Sequence, residues 1–179
     1  MKTDISGVIL AGGRNTRMGI NKAFIELEGR PMIDRAVEFL QGLFPEVIIV
    51  TNDPSLYLHL PVAIVTDIYK DKGSLGGLYT GLFHAAHDYA FVVPCDMPFL
   101  NRGFIEYMIN CVGQGQIVVP EPADGLQPLH AIYGRSTLPL MARFLAGGSL
   151  KIIDLYQEVK TMVIPREVIG SFDPAGRMF

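Results

Sequence analysis

The sequence predicts a doubly wound α/β fold with a mostly parallel sheet. Three observations carry that reading. First, five short apolar runs recur along the chain: Ile5 to Leu10, Val47 to Val50, Val62 to Val65, Tyr89 to Val93 and Ile117 to Val119. They do not alternate with polar residues, as expected of parallel strands covered on both faces. Second, helix-like spacing fills the intervals, so strand and helix alternate. Third, the runs end in glycine or small polar residues, among them Gly12, Gly13, Asn52, Asp67 and Asp96. In open α/β sheets ligands bind at the carboxyl ends of the strands, near the point where strand order reverses.

The elements follow in order. After the first strand and its loop, Pro31 suits a first helical turn, and Ile33, Val37, Leu40 and Phe44 keep helical spacing up to Pro45. Ser74 is expected to cap a helix from about Gly76 to Ala86. Asn101 is expected to cap another, with Phe104, Ile105, Met108 and Ile109 facing inward. Arg135 to Ala146 reads as a further helix, ended by Gly147 and Gly148. With no repeat and no low-complexity linker, residues 1–179 are expected to form a single domain.

Composition narrows the function. Apolar residues make up 49% of the chain and charged residues 18%, which favours a large core over disorder. The formal net charge is -3, so no global basic field exists for nucleic acid, and an anionic ligand must meet a local cluster of cations. Cys95 and Cys111 lack metal-type spacing and read as reduced core thiols. The N-terminus carries no signal-type apolar region, and no apolar run reaches the roughly 18 residues of a membrane span. A soluble, cytoplasmic protein without membrane contact is the expectation.

The most informative segment is Leu10-Ala11-Gly12-Gly13-Arg14-Asn15-Thr16-Arg17-Met18-Gly19-Ile20-Asn21-Lys22. Its glycines let backbone N–H groups turn toward oxyanions. Arg14, Arg17 and Lys22 supply three cations suited to a triphosphate. The adjacent glycines do not make the dinucleotide fingerprint. Lys22 follows Asn21 and not glycine, so the P-loop pattern is absent too.

This segment closely resembles the signature L-A-G-G-x-x-x-R-M-G-x-x-K of the nucleotidyltransferases that make molybdenum cofactor dinucleotides, and within them the guanylyltransferase family. The resemblance continues through Phe24 to Pro31 (FIELEGRP), Lys72 to Gly81 (KGSLGGLYTG), Val93 to Pro98 (VPCDMP) and Gln127 to Ala131 (QPLHA). It implies a nucleotide-diphospho-sugar-transferase-like fold. It also implies a nucleotide-binding part at about residues 5–100 and an acceptor-binding part at about 101–179.

Carried over by position, the resemblance assigns Leu10, Ala11, Gly12, Gly13 and Arg14 to the nucleotide, with Lys22 on its phosphates. Asn52 and Asp67 would lie at the guanosine, and Gly76 and Gly77 would let the nucleotide approach the chain. Asp96 would hold magnesium, while Lys22 and Arg17 share the catalytic work with it. Gln127 and His130 would face the acceptor.

From the residues alone, Asp96 could equally be a loop cap, Asn52 and Asp67 turn formers, and His130 a buried, satisfied histidine. Gly77 and Gly81, four apart on a helix, suit close packing. His84 and His87 read as helix surface, and His59 as a loop residue. Two departures stand out: Asn21 replaces an aspartate common in the family, and the family's Asn-x-Asn-Thr-Pro element has no counterpart before Phe179. The acceptor half is therefore expected to need residues beyond Phe179.

The implied reaction is magnesium-dependent transfer of GMP from GTP to the phosphate of molybdopterin or its molybdenum form. Transient contacts with cofactor-synthesis proteins and recipient molybdoenzymes would accompany it. The alternatives are a relative that uses CTP, a sugar-1-phosphate transferase, and a non-catalytic nucleotide-binding or cofactor-carrier protein.

Overall fold

The computed structural model describes residues 4–12 and 21–179. Its main sheet has seven strands, in the order β5-β4-β1-β6-β8-β7-β9. These are β1 (Ile5–Leu10), β4 (Glu46–Val50), β5 (Ala63–Val65), β6 (Tyr89–Pro94), β7 (Ile117–Glu121), β8 (Ala131–Gly134) and β9 (Thr161–Pro165). A small antiparallel hairpin, β2 (Glu26–Leu27) and β3 (Arg30–Pro31), lies beside it. Strands β5, β4, β1 and β6 run parallel, as do β7 and β9, and β8 is antiparallel to both its neighbours. The predicted α/β class with a mostly parallel sheet holds.

Successive side chains of a strand point to opposite faces, and here both faces are covered. Ile5, Ile9, Ile49, Phe91 and Val93 pack with Ile33, Leu40 and Phe104. Their alternates Val8, Leu10, Ile48, Val50, Ala90 and Val92 pack with Leu75, Leu78, Met141 and Leu145. The first layer comes from α1 (Met32–Gln41) and α3 (Arg102–Asn110), and the second from α2 (Gly73–His84) and α4 (Leu138–Gly147). Double burial is why these strands read as unbroken apolar runs.

Helix ends depart from expectation in instructive ways. Asn101 does cap α3: its side chain accepts from Phe104 N at 3.0 Å and donates to Phe172 O at 2.9 Å, tying α3 to α5 (Arg166–Phe172). Ser74 is no cap, because α2 starts one residue earlier, at Gly73, where φ is +59°. Helix α1 stops at Gln41, and Phe44 lies beyond it, buried and stacked on Phe91 at 5.6 Å. Helix α4 begins at Leu138 after a separate tight turn, and ends on Gly148 in the left-handed region.

Gly81 shows how closely α2 approaches the sheet. A Cβ added there would sit 2.4 Å from Val8 Cγ1 and 3.2 Å from Val50 Cγ2. Gly81→Ala should therefore lower stability by about 1–3 kcal/mol, the usual range for overpacking. Chemical denaturation checks this, and an unchanged midpoint would mean that the helix can lift freely.

Cys111 is buried, Cys95 half-buried, and both are free. His59 lies 3.3 Å from Asp34, and His87 Nδ1 lies 3.0 Å from Ser6 Oγ. Among the described residues, no group of three or more histidines, cysteines and carboxylates could hold a metal. No described helix is long and apolar enough to cross a membrane.

Candidate active site

The sheet ladder runs on past β1. Ala11 N donates to Val50 O at 2.8 Å, and Cys95 N donates to Leu10 O at 3.1 Å. Strand β1 therefore delivers Ala11 and Gly12 to the rim between the ends of β4 and β6, where strand order reverses. An added Cβ on Gly12 would meet nothing within 4 Å among the described residues. Packing by the described residues thus does not demand glycine there, and Gly12 is exposed among them. Gly13, Arg14 and Arg17 lie outside the described residues.

Lys22 opens a single tight turn, Lys22–Phe24, which Asn21 caps by accepting from Ala23 N at 3.1 Å. Asn21 also donates through Nδ2 to the Tyr57 hydroxyl at 3.4 Å, and Tyr57 in turn donates to Ala11 O at 3.4 Å. An aspartate could cap this turn but could not donate to Tyr57. The Asn21 departure from the signature therefore ties this turn to Tyr57. Tyr57 itself was not foreseen; nothing in its local sequence marks it.

The turn aims Lys22 at Asp96, 74 residues away in sequence, with Nζ donating to Oδ2 at 3.2 Å. Their side chains are 56% and 37% exposed. Such a surface pair contributes about 0–1 kcal/mol, so stability alone is a weak reason for it. Cys95, next in the chain, stays a thiol: burial, then the charge of Asp96, pushes its pKa up to about 11.

Across the rim, Asn52 Nδ2 donates to Asp67 Oδ2 at 2.9 Å. Asp67 Oδ1 is buried and, among the described residues, has no hydrogen-bond partner. Burial raises the Asp67 pKa, against the opposing effect of the Asn52 bond. Thr80 fixes the chain just beyond: its hydroxyl accepts from Ile68 N at 3.0 Å and donates to Gly76 O at 2.9 Å.

Two expectations need correction. Gly76 and Gly77 are buried beneath the site and do not line it. A Cβ on Gly76 would lie 2.8 Å from Tyr69 O, and one on Gly77 would touch Leu10 and Asp67. Glycine here lets the loop after β5 lie on α2. His130 likewise does not face an acceptor. It is fully buried, with Nδ1 3.1 Å from Met97 Sδ, and desolvation lowers its pKa to about 3.

Gln127 is half-buried and lines a cleft of about 470 Å³ with Ser74, Met97, Leu129, Lys151 and Ile153. Leu150 and Ile153 expose apolar surface there. Lys151 and its neighbours were not foreseen; a basic residue after a helix end is too common to mark a site.

A MobA-like NTP transferase domain matches residues 7–160. The molybdenum cofactor guanylyltransferase of Desulfosudis oleivorans is 37% identical over 172 residues, covering 95% of this chain and 85% of that one. This chain belongs to the molybdenum cofactor guanylyltransferase family. Molybdopterin-guanine dinucleotide biosynthesis protein A from Archaeoglobus fulgidus superposes with a TM-score of 0.84 at 23% identity, over 98% of this chain and 90% of its own. A Mycobacterium tuberculosis protein crystallised with manganese superposes with a TM-score of 0.69 at 19% identity, over 91% and 88% of the two chains. These solved structures thus share the fold seen here.

The residues fit a divalent cation. Magnesium commonly takes one or two carboxylates and completes its shell with water and substrate phosphates. Asp96 offers one partly exposed carboxylate at the rim, facing a cation and not a closed ligand cage.

Proposed function

We propose that this chain transfers GMP from GTP to the terminal phosphate of molybdopterin or its molybdenum form, releasing pyrophosphate. The observation that supports it most is the Lys22–Asp96 pair, set at the rim where β1 delivers the exposed Gly12. The Asn52–Asp67 pair lies on the β4–β5 side of the same rim. The first pair suits phosphates and the second a base or ribose.

Magnesium on Asp96, when bound, would supply Lewis-acid charge stabilisation at the α-phosphate. Lys22 takes up negative charge on the departing pyrophosphate, with Arg17 and Arg14 as further cations from the same loop. Gly12 and Gly13 hold the nucleotide through backbone groups, while Leu10 and Ala11, bonded within the protein through Leu10 O, Ala11 N and Ala11 O, fix where that loop begins. Asp67 accepts from the donor edge of guanine while Asn52 keeps its carboxylate aimed. The acceptor lies in the Gln127 cleft, where Lys151 offers a charge to its phosphate. That phosphate is already an anion, so the work is alignment and charge neutralisation, without a strong general base. The chain acts as a single domain in the cytoplasm and meets cofactor-synthesis proteins and recipient enzymes only transiently.

The test is a thermal-shift panel of GTP, CTP, ATP and UTP with magnesium, followed by pyrophosphate release with acceptor. GTP at 100 times its dissociation constant should add about 2.7 kcal/mol of stability. Equal stabilisation by CTP or ATP would sink the guanylyl reading. GTP binding without pyrophosphate release would favour a carrier.

A further inference from the structure

Two clefts of the molecule share one wall, Met97. Gln127, Leu129 and Lys151 lie on one side, and Met32, Phe39 and Leu100 on the other. Met97 directly follows Asp96. The sheet bond from Cys95 N to Leu10 O ends the regular structure before it, and α3 resumes it after the Asn101 cap. The stretch that carries Asp96 is therefore irregular. Methionine, with three rotatable bonds, anchors such a stretch poorly unless its sulfur is held.

His130 is placed to hold it. The residue immediately precedes β8 and has no exposed surface. Its ring is fixed on three sides: edge-on to Phe91 at 5.1 Å, stacked with Phe104 at 5.9 Å, and edge-on to Phe179 at 5.1 Å. Nδ1 lies 3.1 Å from Met97 Sδ. A thioether accepts and cannot donate, so Nδ1 carries the proton. Nε2 is then an acceptor, and among the described residues it has no partner. An apolar ring would fill this space without an unpaired polar atom. Packing alone thus gives no reason for histidine here, whereas the contact with Met97 does.

We infer that His130 is a positioning residue: its Nδ1–H holds the sulfur of Met97 and thereby sets both the Asp96 carboxylate and the wall between the clefts. The inference deepens the proposed transfer and rests on Asp96 taking part in it. His130 touches no substrate. Its effect is on alignment, and so on turnover more than on nucleotide affinity.

The experiment uses the full chain. His130→Phe keeps an aromatic ring and removes the N–H, and Met97→Leu keeps apolar bulk and removes the sulfur. In His130→Phe the melting temperature should hold or rise, while turnover at saturating GTP falls roughly 10- to 100-fold, the scale of an ångström-sized misalignment. The KM for GTP should barely move. Met97→Leu should reproduce the loss, and the double variant should be no worse than either single, as for two members of one contact. His130→Asn, whose amide nitrogen can take the place of Nδ1, should restore most of the turnover.

A second readout does not depend on activity. Isotope-labelled histidine spectra of the parent should place the His130 proton on Nδ1, and Met97→Leu should shift that signal. Parental turnover in His130→Phe, losses that multiply in the double variant, or a proton on Nε2 would each overturn the inference. If His130→Phe does not fold, Met97→Leu and the spectra still decide. If the parent itself releases no pyrophosphate, the proposed transfer has failed, and the proton position still judges the contact.

Discussion

Asp96→Asn should lower guanylyl transfer by at least about 100-fold, the loss typical of removing a major electrostatic stabiliser. The melting temperature should stay nearly unchanged. The substitution keeps side-chain volume and removes only the anion. Among the described residues, what it breaks in the free protein is one ion pair with Lys22, between side chains that are 56% and 37% exposed. Exposed pairs of this kind contribute about 0–1 kcal/mol. A large loss of rate at constant stability would therefore place the role of Asp96 in the reaction and not in the fold. Pyrophosphate release across a magnesium titration, paired with thermal melts, makes the comparison. Normal magnesium-dependent turnover in the variant would reduce Asp96 to a loop residue.

Asp67→Asn should move stability and affinity in opposite directions. Burial raises the Asp67 pKa in the folded chain. The favourable contribution of the protonated group is therefore fully present below the unfolded value, about 3.9. It is lost as pH rises through the higher folded value. At neutral pH the parent carries a charged, half-buried carboxylate, and the amide does not. The free variant should thus be at least as stable as the parent at neutral pH, and its stability should vary less with pH just above 4. GTP binding should weaken by about 10- to 100-fold, the worth of a hydrogen bond to a charged group. Calorimetric titration with GTP and melts across acidic pH test both halves. Unchanged GTP affinity would remove Asp67 from the base site.

The central strands were legible in the sequence because they are covered on both faces. Ile5 to Leu10 and Tyr89 to Val93 read as strands because each contributes to both core layers. Strand β8 was missed: Ala131 to Gly134 directly follows His130 and runs straight into the turn at Arg135. Strand β9 is an edge, with Val163 exposed and Pro165 at its end, and its apolar run is only Met162 to Ile164. Of the site, the strand-end residues were legible because fold class dictates where ligands sit. The partnerships were not. Lys22 meets Asp96 and Tyr57 meets Ala11 only after the sheet has formed. His130 was legible as a histidine among apolar residues, but which of its neighbours it touches depends on Phe104 and Phe179 closing around it.

Strand β1 is hydrogen-bonded along its length to β4 on one side and β6 on the other, whereas β9 has only β7 for a neighbour. Local opening starts where backbone bonds are fewest and most exposed, and reaches doubly flanked central strands last. The root of the nucleotide loop thus belongs to the slowest-exchanging part of the molecule, while the segment carrying Lys151 leads toward the margin. A chain warmed toward melting should open first at its two edge strands, β5 and β9. Short of full unfolding, it would pass through a state in which the root of that loop still holds while both margins of the sheet have opened.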